Sequence, residues 1–392
     1  MPATPAATDA DAQRWLDAPI ESGTAAGFGL YLHIPFCAHR CGYCDFATAV
    51  PESDDQVARY VDALRTEIGR SDDAPTVTSV FVGGGTPTLI GPDPLAAILG
   101  TVHDTFDVAD DAEVTIECNP ETASAELFDG LVAAGVNRVS MGAQSFAPHV
   151  LATLERGHTA QRPVEAVALA RAAGIAQVNL DLIYGTPGES DDDWRETLTA
   201  VLASGVDHVS AYALTIHDNT AFGRSVATGA MPDVDEDVQR DRFDVAREVL
   251  AAGGFEHYEI SNWALGSHAR SRHNILYWRH GDYLAFGVGA HGHRSGRRWW
   301  NTRSTRAYLD AIESGGSPVA GSEDLNTTEQ AEERILLGLR LKEGLHPLDA
   351  PPIEPLALED AMDAGLVTTA CGRLQCTDEG WFLLDEAVRR LV

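Results

Sequence analysis

Nowhere in its 392 residues does the chain carry an apolar run of the ~20 residues that a membrane span requires. Its first stretch, MPATPAATDADAQRWLDAPIESGTAAG, lacks both a basic region and an apolar core, so no secretory signal peptide is expected there. Basic residues are scarce: 28 Lys and Arg stand against 59 Asp and Glu, a formal charge of −31. That balance argues against non-specific binding to nucleic acid or to an anionic membrane. The acidic residues are spread along the chain, which reads as a solvated surface. The phosphate-loop pattern G-x4-G-K-[ST] is missing. Cysteine is sparse too, with six residues in all, three of them between Cys37 and Cys44. That usage fits a reducing compartment, and a cytoplasmic protein is expected.

What is present is organised around residues 31–46. Cys37, Cys41 and Cys44 follow a short apolar run in the spacing C-x3-C-x2-C. Three thiolates on one tight loop suit a metal cluster better than a disulfide, because soft sulfur ligands select iron–sulfur clusters, zinc or copper(I). An iron–sulfur cubane usually takes four cysteines. With three, one iron keeps an open position, where substrate chemistry takes place. Cys118, Cys371 and Cys376 are scattered, and none is close in sequence to complete a zinc site.

An apolar fraction of 44% with 22% charged residues leaves ample core for one large domain and a smaller one. From residue 28 to about 262, strand-like runs at 29–34, 77–83, 113–117, 136–142, 177–183, 207–213 and 256–260 alternate with helical patterns such as 56–69, 161–173, 191–203 and 236–252. Most runs are apolar without strict alternation, as strands buried on both faces would be. Gly135, Gly174, Gly205 and Gly253 stand where helices end before the next strand. The reading is an α/β chain with a parallel sheet curved into a partial or full barrel.

In such barrels the site is built at the C-terminal ends of the strands. Successive strands here deliver the cysteine loop, Gly83-Gly84-Gly85-Thr86-Pro87, Glu117-Cys118-Asn119-Pro120, Gln144-Ser145, Asp181 and Tyr212 at that end. The glycine run is a turn, or bare backbone whose N–H and C=O groups meet a ligand's carboxylate and ammonium. Glu117 and Asp181 sit on apolar strands and need partners, as a ribose hydroxyl, a basic group or a structural ion pair would supply. Arg156, in LERGH, is either a site residue or a solvated helix residue.

Tyr31-x-His-Ile-Pro-Phe-Cys with its cysteine loop, GGGTPT, TIECNP, VSMGAQSF and DLIYGTPGE together resemble the oxygen-independent coproporphyrinogen III oxidase family of radical S-adenosylmethionine (SAM) proteins. The resemblance covers roughly residues 28–215. It implies a radical-SAM partial (β/α) barrel, a [4Fe–4S] cluster on Cys37, Cys41 and Cys44, and SAM contacts by Tyr31, Tyr43, Gly84, Gly85, Thr86, Glu117, Gln144, Arg156 and Asp181. The oxidase carries a further cysteine two residues after the third ligand; this chain has Phe46 there. The match is instead to the HemW subgroup, regarded as haem chaperones, with a His-Asn-x-x-Tyr-Trp motif that reads here His273-Asn274-Ile275-Leu276-Tyr277-Trp278. That implies haem as cargo, a haem-acceptor protein and an electron donor as partners, with His273 as an axial-ligand candidate. Asn274, Tyr277 and Trp278 complete the haem-binding motif, the two aromatics packing on the macrocycle. His280, His291 and His293 lie close enough in sequence to compete for the iron. Oxidase activity and methyl transfer remain the enzymatic alternatives.

The expected domains are a flexible low-complexity tail over 1–27, the barrel over 28–262, a connecting segment over 263–325 and a small winged-helix-like domain over 326–392. GDYLAFGVGAHG is expected to close one end of the barrel, and Arg297-Arg298-Trp299-Trp300 forms either an exposed turn or a contact for a propionate or partner. NTTEQAEERILLGLRLKEGL opens the last domain as an amphipathic helix capped by Asn or Thr.

Overall fold

A computed structural model of the chain describes residues 27–71, 74–346 and 352–392. Residues 1–26, most of the expected tail, lie outside the described residues. Six strands run parallel and in sequence order: β1 (Phe28–Ile34), β2 (Val77–Gly84), β3 (Val108–Cys118), β4 (Arg138–Gln144), β5 (Gln177–Tyr184) and β6 (His208–Ala213). A hairpin of β7 (Glu256–Glu259) and β8 (Asn262–Ala264) follows antiparallel on β6. The run 256–260 is therefore an edge strand rather than a further parallel one.

On the other side of β1 lies β9 (Asp282–Phe286), also parallel to it. It is followed outward by the antiparallel strands β10 (His291–Arg294), β11 (Arg297–Asn301) and β12 (Val319–Asp324). GDYLAFGVGAHG thus supplies a seventh parallel strand, and much of 263–325 belongs to the same twelve-stranded sheet. The sheet is open, since its terminal strands β12 and β7 do not pair with each other.

The parallel strands do alternate, which the sequence conceals because both faces are buried. One face carries Leu30, Leu32, Val80, Val82, Val114, Ile116, Val139, Met141, Leu180 and Val209 into the main apolar core. The other carries Tyr31, His33, Ser79, Glu113, Glu117, Ser140, Asn179, Asp181 and Ser210. Polar groups buried together can satisfy one another: Asn179 Nδ2 donates to Ser140 Oγ, Asp181 Oδ1 and Ser210 Oγ at 2.6, 2.8 and 3.0 Å.

Most helix ends follow the sequence signals, with one correction. Gly135, Gly174 and Gly205 take positive φ, but after the helix Glu236–Ala252 it is Gly254 that does so (φ 87°). Gly253 has φ −79° and lies where a Cβ would stand 2.4 Å from Leu202. Gly253 therefore packs against Leu202 without using glycine's left-handed freedom.

The C-terminal unit has its own core, including Ile335, Leu345, Leu358, Leu374 and Leu391. Its helix Thr327–Gly338 starts at Asn326 with a reciprocal capping box to Glu329. The unit also carries the antiparallel pair β13 (Val367–Ala370) and β14 (Arg373–Cys376). Its backbone extends the sheet edge: Ile260 N–H donates to Arg340 O at 3.1 Å and Lys342 N–H to Tyr258 O at 3.0 Å. The edge strand β7 is thereby covered.

Candidate site at the C-terminal ends of the parallel strands

The cysteine loop leaves β1 and is pinned at its base. Cys37 N–H donates to Ala49 O (3.0 Å) and Ala49 N–H to Pro35 O (2.8 Å). At its far side Gly42 N–H donates to Glu155 at 2.7 Å. The three thiols share one space, since each of Cys37 and Cys44 feels the charge of Cys41. Burial pushes the Cys37 thiol up to about 11, opposed by the Thr86 hydroxyl, which lies 3.8 Å from its sulfur. Burial also raises Cys44. Arg156 Nη1 reaches Cys41 Sγ at 3.9 Å.

Among the described residues no three His, Cys, Asp or Glu side chains close round a single metal ion. A [4Fe–4S] cluster takes one thiolate per iron. The donor set of three soft sulfurs therefore fits a [4Fe–4S] cluster.

The glycine turn after β2 packs under this loop. Gly84 has φ 121°, and a Cβ there would stand 2.6 Å from the His33 ring; one on Gly85 would stand 2.7 Å from Phe36 O. The N–H groups of Gly84, Gly85 and Thr86 are already committed to Glu117 (2.9 Å), Ile34 O (2.8 Å) and Phe36 O (2.7 Å). This corrects the expectation that they face a ligand carboxylate. The glycines allow the cluster loop, the turn and Glu117 to approach one another.

Glu117 ends β3 beside them. Burial pushes its carboxyl up to about 7, the Asp181 charge adds to this, and the Gly84 N–H opposes it. Asp181 on β5 is raised by burial and steadied by Ser140 (2.9 Å) and Asn179. Gln144 ends β4 in the left-handed region (φ 64°), its amide over Gly142 beside the Arg156 guanidinium. Arg156 Nη2 donates to Gly142 O at 2.9 Å, while its buried Nε has no partner. Such a donor is costly to leave unmade and marks space for an acceptor on a ligand. Tyr31 is raised above the ordinary phenol range by burial, then by Glu117, and its hydroxyl meets His33 Nδ1 at 3.0 Å. Tyr43 lies edge-on to Phe222 and beside Cys41.

Sequence reasoning missed two residues that build this end. His33 ties Tyr31 to Ala47 O (2.9 Å) on the cysteine loop. Glu155 holds Gly42 and lies 3.3 Å from His39. Their signals were their places, inside YLHIPFC and beside Arg156 in LERGH.

The HNxxYW helix, Arg272–Trp278, lies at the opposite ends of the strands. His273 is 0% exposed, with Nδ1 on Ser79 Oγ (2.9 Å) and Nε2 on Tyr277 OH (2.8 Å). Burial lowers it to about 3. It packs against Phe81, and its backbone N–H is held by Glu113. An imidazole with both nitrogens bonded is not available to iron in this conformation, which corrects its reading as an axial-ligand candidate. Tyr277 packs edge-on to Tyr283, and Asn274 uses its N–H in the Ser271 cap. Trp278 points the other way, under Arg340 (4.4 Å to the ring centre) and beside the buried Glu259. The motif braces the sheet interior against the C-terminal unit.

Residues 31–201 match the Radical SAM superfamily, and residues 325–383 match the HemN C-terminal domain. The chain is 44% identical to the heme chaperone HemW of Mycobacterium tuberculosis over 370 residues, 93% of this chain and 95% of that one. It is 33% identical to heme chaperone HemW of Escherichia coli, covering 91% of this chain and 96% of the other. The solved coproporphyrinogen III oxidase (HemN) of Escherichia coli shares the fold, with a TM-score of 0.80 at 21% identity over 98% of this chain and 93% of that one. The chain belongs to the HemW family of the radical SAM superfamily.

Proposed function

We propose that this protein is a haem chaperone of the cytoplasm, which binds haem and passes it to acceptor proteins. The observation that carries the reading is the near full-length similarity to HemW proteins, in a chain whose cluster loop has Phe46 where the oxidase has a further cysteine. Cys37, Cys41 and Cys44 would hold the [4Fe–4S] cluster. Tyr31, Tyr43, Gly84, Gly85, Thr86, Glu117, Gln144, Arg156 and Asp181 would surround SAM. When bound, the cluster supplies one-electron reduction and the open iron position for the amino and carboxylate groups of SAM, with electrons from a separate donor.

The chain's own residues set the terms of that binding. Glu117 and Asp181 offer carboxylate oxygens to hydroxyl or cationic groups. The unpartnered Nε of Arg156 offers a donor next to the cluster loop. Tyr31, Phe81 and the His33 ring form a wall under the glycine turn. No helix of the described residues is long and apolar enough to cross a membrane.

The test is anaerobic. Purified, cluster-replete protein should bind haem and deliver it to an apo-haem protein, without converting coproporphyrinogen III to vinyl product when SAM and reductant are supplied. Absence of haem uptake, or turnover of the porphyrinogen, would overturn the reading.

A further inference from the structure

A cleft of ≈ 650 Å³ opens where β1 and β9 begin, lined among others by Phe28, Thr76, His280, Asp282, His293 and Arg334. Its volume is within the ~300–1,000 Å³ of sites that enclose drug-sized ligands. His293 is only 5% exposed, and its Nδ1 faces oxygen acceptors alone, Gly281 O at 3.1 Å and Asp282 Oδ1 at 3.4 Å. The proton must therefore sit on Nδ1. In the neutral ring Nε2 then keeps its lone pair, buried and without a partner. This is the arrangement that iron-binding histidines use, one nitrogen donating to a carbonyl or carboxylate and the other facing the metal.

The cleft joins an apolar side, Phe28 with Pro75, to a polar one of Thr76, Asp282, Ser295 and Gln330, with a cation at its rim. Phe28 supplies an aromatic wall, and Arg334 stands at the rim near His280. The Arg297–Trp300 patch does not fill this role: Arg298 is paired with Glu323 and Glu333, and Arg297 lies near Asp324. His291 stacks on Trp300 in β11. His280 sits at φ 53° with its ring 4.4 Å from that of His293, held by Glu333 through Nε2 at 3.1 Å. Turning it aside breaks one bond to a carboxylate that keeps Arg298.

Resting on the haem-chaperone reading, we propose that this cleft is the haem site, with His293 Nε2 as the iron ligand and Arg334 as a propionate partner. The cleft opens at Phe28, the start of β1, and the cluster loop follows Ile34 at its end. The two are separated by about 20 Å, the six steps of ~3.3 Å from Phe28 to Ile34. Cargo is thus held away from the SAM pocket.

The experiment titrates ferric haem into full-length, cluster-replete wild type, His293→Ala, His273→Ala and Arg334→Ala, reading the Soret band, affinity and cluster iron. Wild type and His273→Ala should show the same imidazole-ligated spectrum. His293→Ala should bind at least tenfold more weakly with a shifted Soret band, regain the wild-type spectrum on adding free imidazole, and keep its full cluster iron. Arg334→Ala, an exposed change, should weaken binding several-fold without changing the spectrum. Wild-type spectrum and affinity in both His293→Ala and Arg334→Ala overturn this assignment while haem binding itself stands. If wild type takes up no haem, the chaperone reading falls first.

Discussion

The two ends of the parallel strands bury polar residues to opposite effect. At the C-terminal end, Glu117 is raised to about 7 by burial and Asp181 also lies above its ordinary range, while Arg156 keeps an unpartnered Nε. At the other end His273 and Tyr277 are as deeply placed, yet they satisfy each other and Ser79. Burial alone does not separate the two. What differs between these residues is bonding: Arg156 Nε has no partner in the chain, whereas His273 and Tyr277 have theirs. The same criterion sets His293 apart from His273.

The contrast breaks most sharply at the thiols. Cys37→Ala, Cys41→Ala or Cys44→Ala should abolish the cluster, with bound iron and the iron–sulfur absorption falling to background while the fold persists. Retention of a stable cluster in any of them would undo the assignment of the loop.

His273→Ala should act on stability rather than chemistry. Removing a fully buried ring and stranding Ser79 and Tyr277 should cost about 2–4 kcal/mol, measured by urea unfolding, with cluster iron unchanged. A loss under ~0.5 kcal/mol would mean that the motif is not a brace.

Glu117→Gln should weaken SAM binding by roughly tenfold, the scale of one hydrogen bond to a charged group. Because the folded carboxyl titrates near 7, wild-type affinity for SAM should fall as pH drops below that value. The variant should lack this dependence; an identical pH profile in both proteins would remove Glu117 from the pocket.

Glu259 gives a subtler effect, at the junction with the C-terminal unit. Burial raises its carboxyl from 4.5 to about 7. The folded chain therefore binds more protons than the unfolded one between these values, so this group's contribution declines as pH rises from 4.5 to 7. Glu259→Gln should gain stability relative to wild type across that window and hold a constant difference above it. A difference that shrinks with rising pH would contradict the burial argument. Smallest of all is Phe46→Ala: the ring is 69% exposed, and both stability and cluster content should stay within about 0.5 kcal/mol and experimental scatter of wild type.

Much of the cluster end was legible because its chemistry is local in sequence. The cysteine spacing, the glycine run and the strand-end carboxylates each sit within one segment, and parallel βα order brings such segments to one rim. The alternation of the strands was hidden because Tyr31, Ser79 and Asn179 are polar yet inside, so both faces read as core. β9 was not legible as a strand beside β1, since that pairing joins Gly29 to Tyr283 across more than half the chain. The HNxxYW motif was legible as a motif but not in its physical role. Whether a histidine is bonded out or open depends on partners such as Ser79 and Gly281 that no local pattern announces.

The most direct test of the central claim is the EPR spectrum of anaerobically reconstituted, reduced protein with and without SAM. Three cysteines at one rim predict a [4Fe–4S]⁺ signal whose shape changes when SAM is added, because one iron is open to it. A signal that SAM leaves unaltered, or no cluster signal from fully reconstituted protein, would contradict the account.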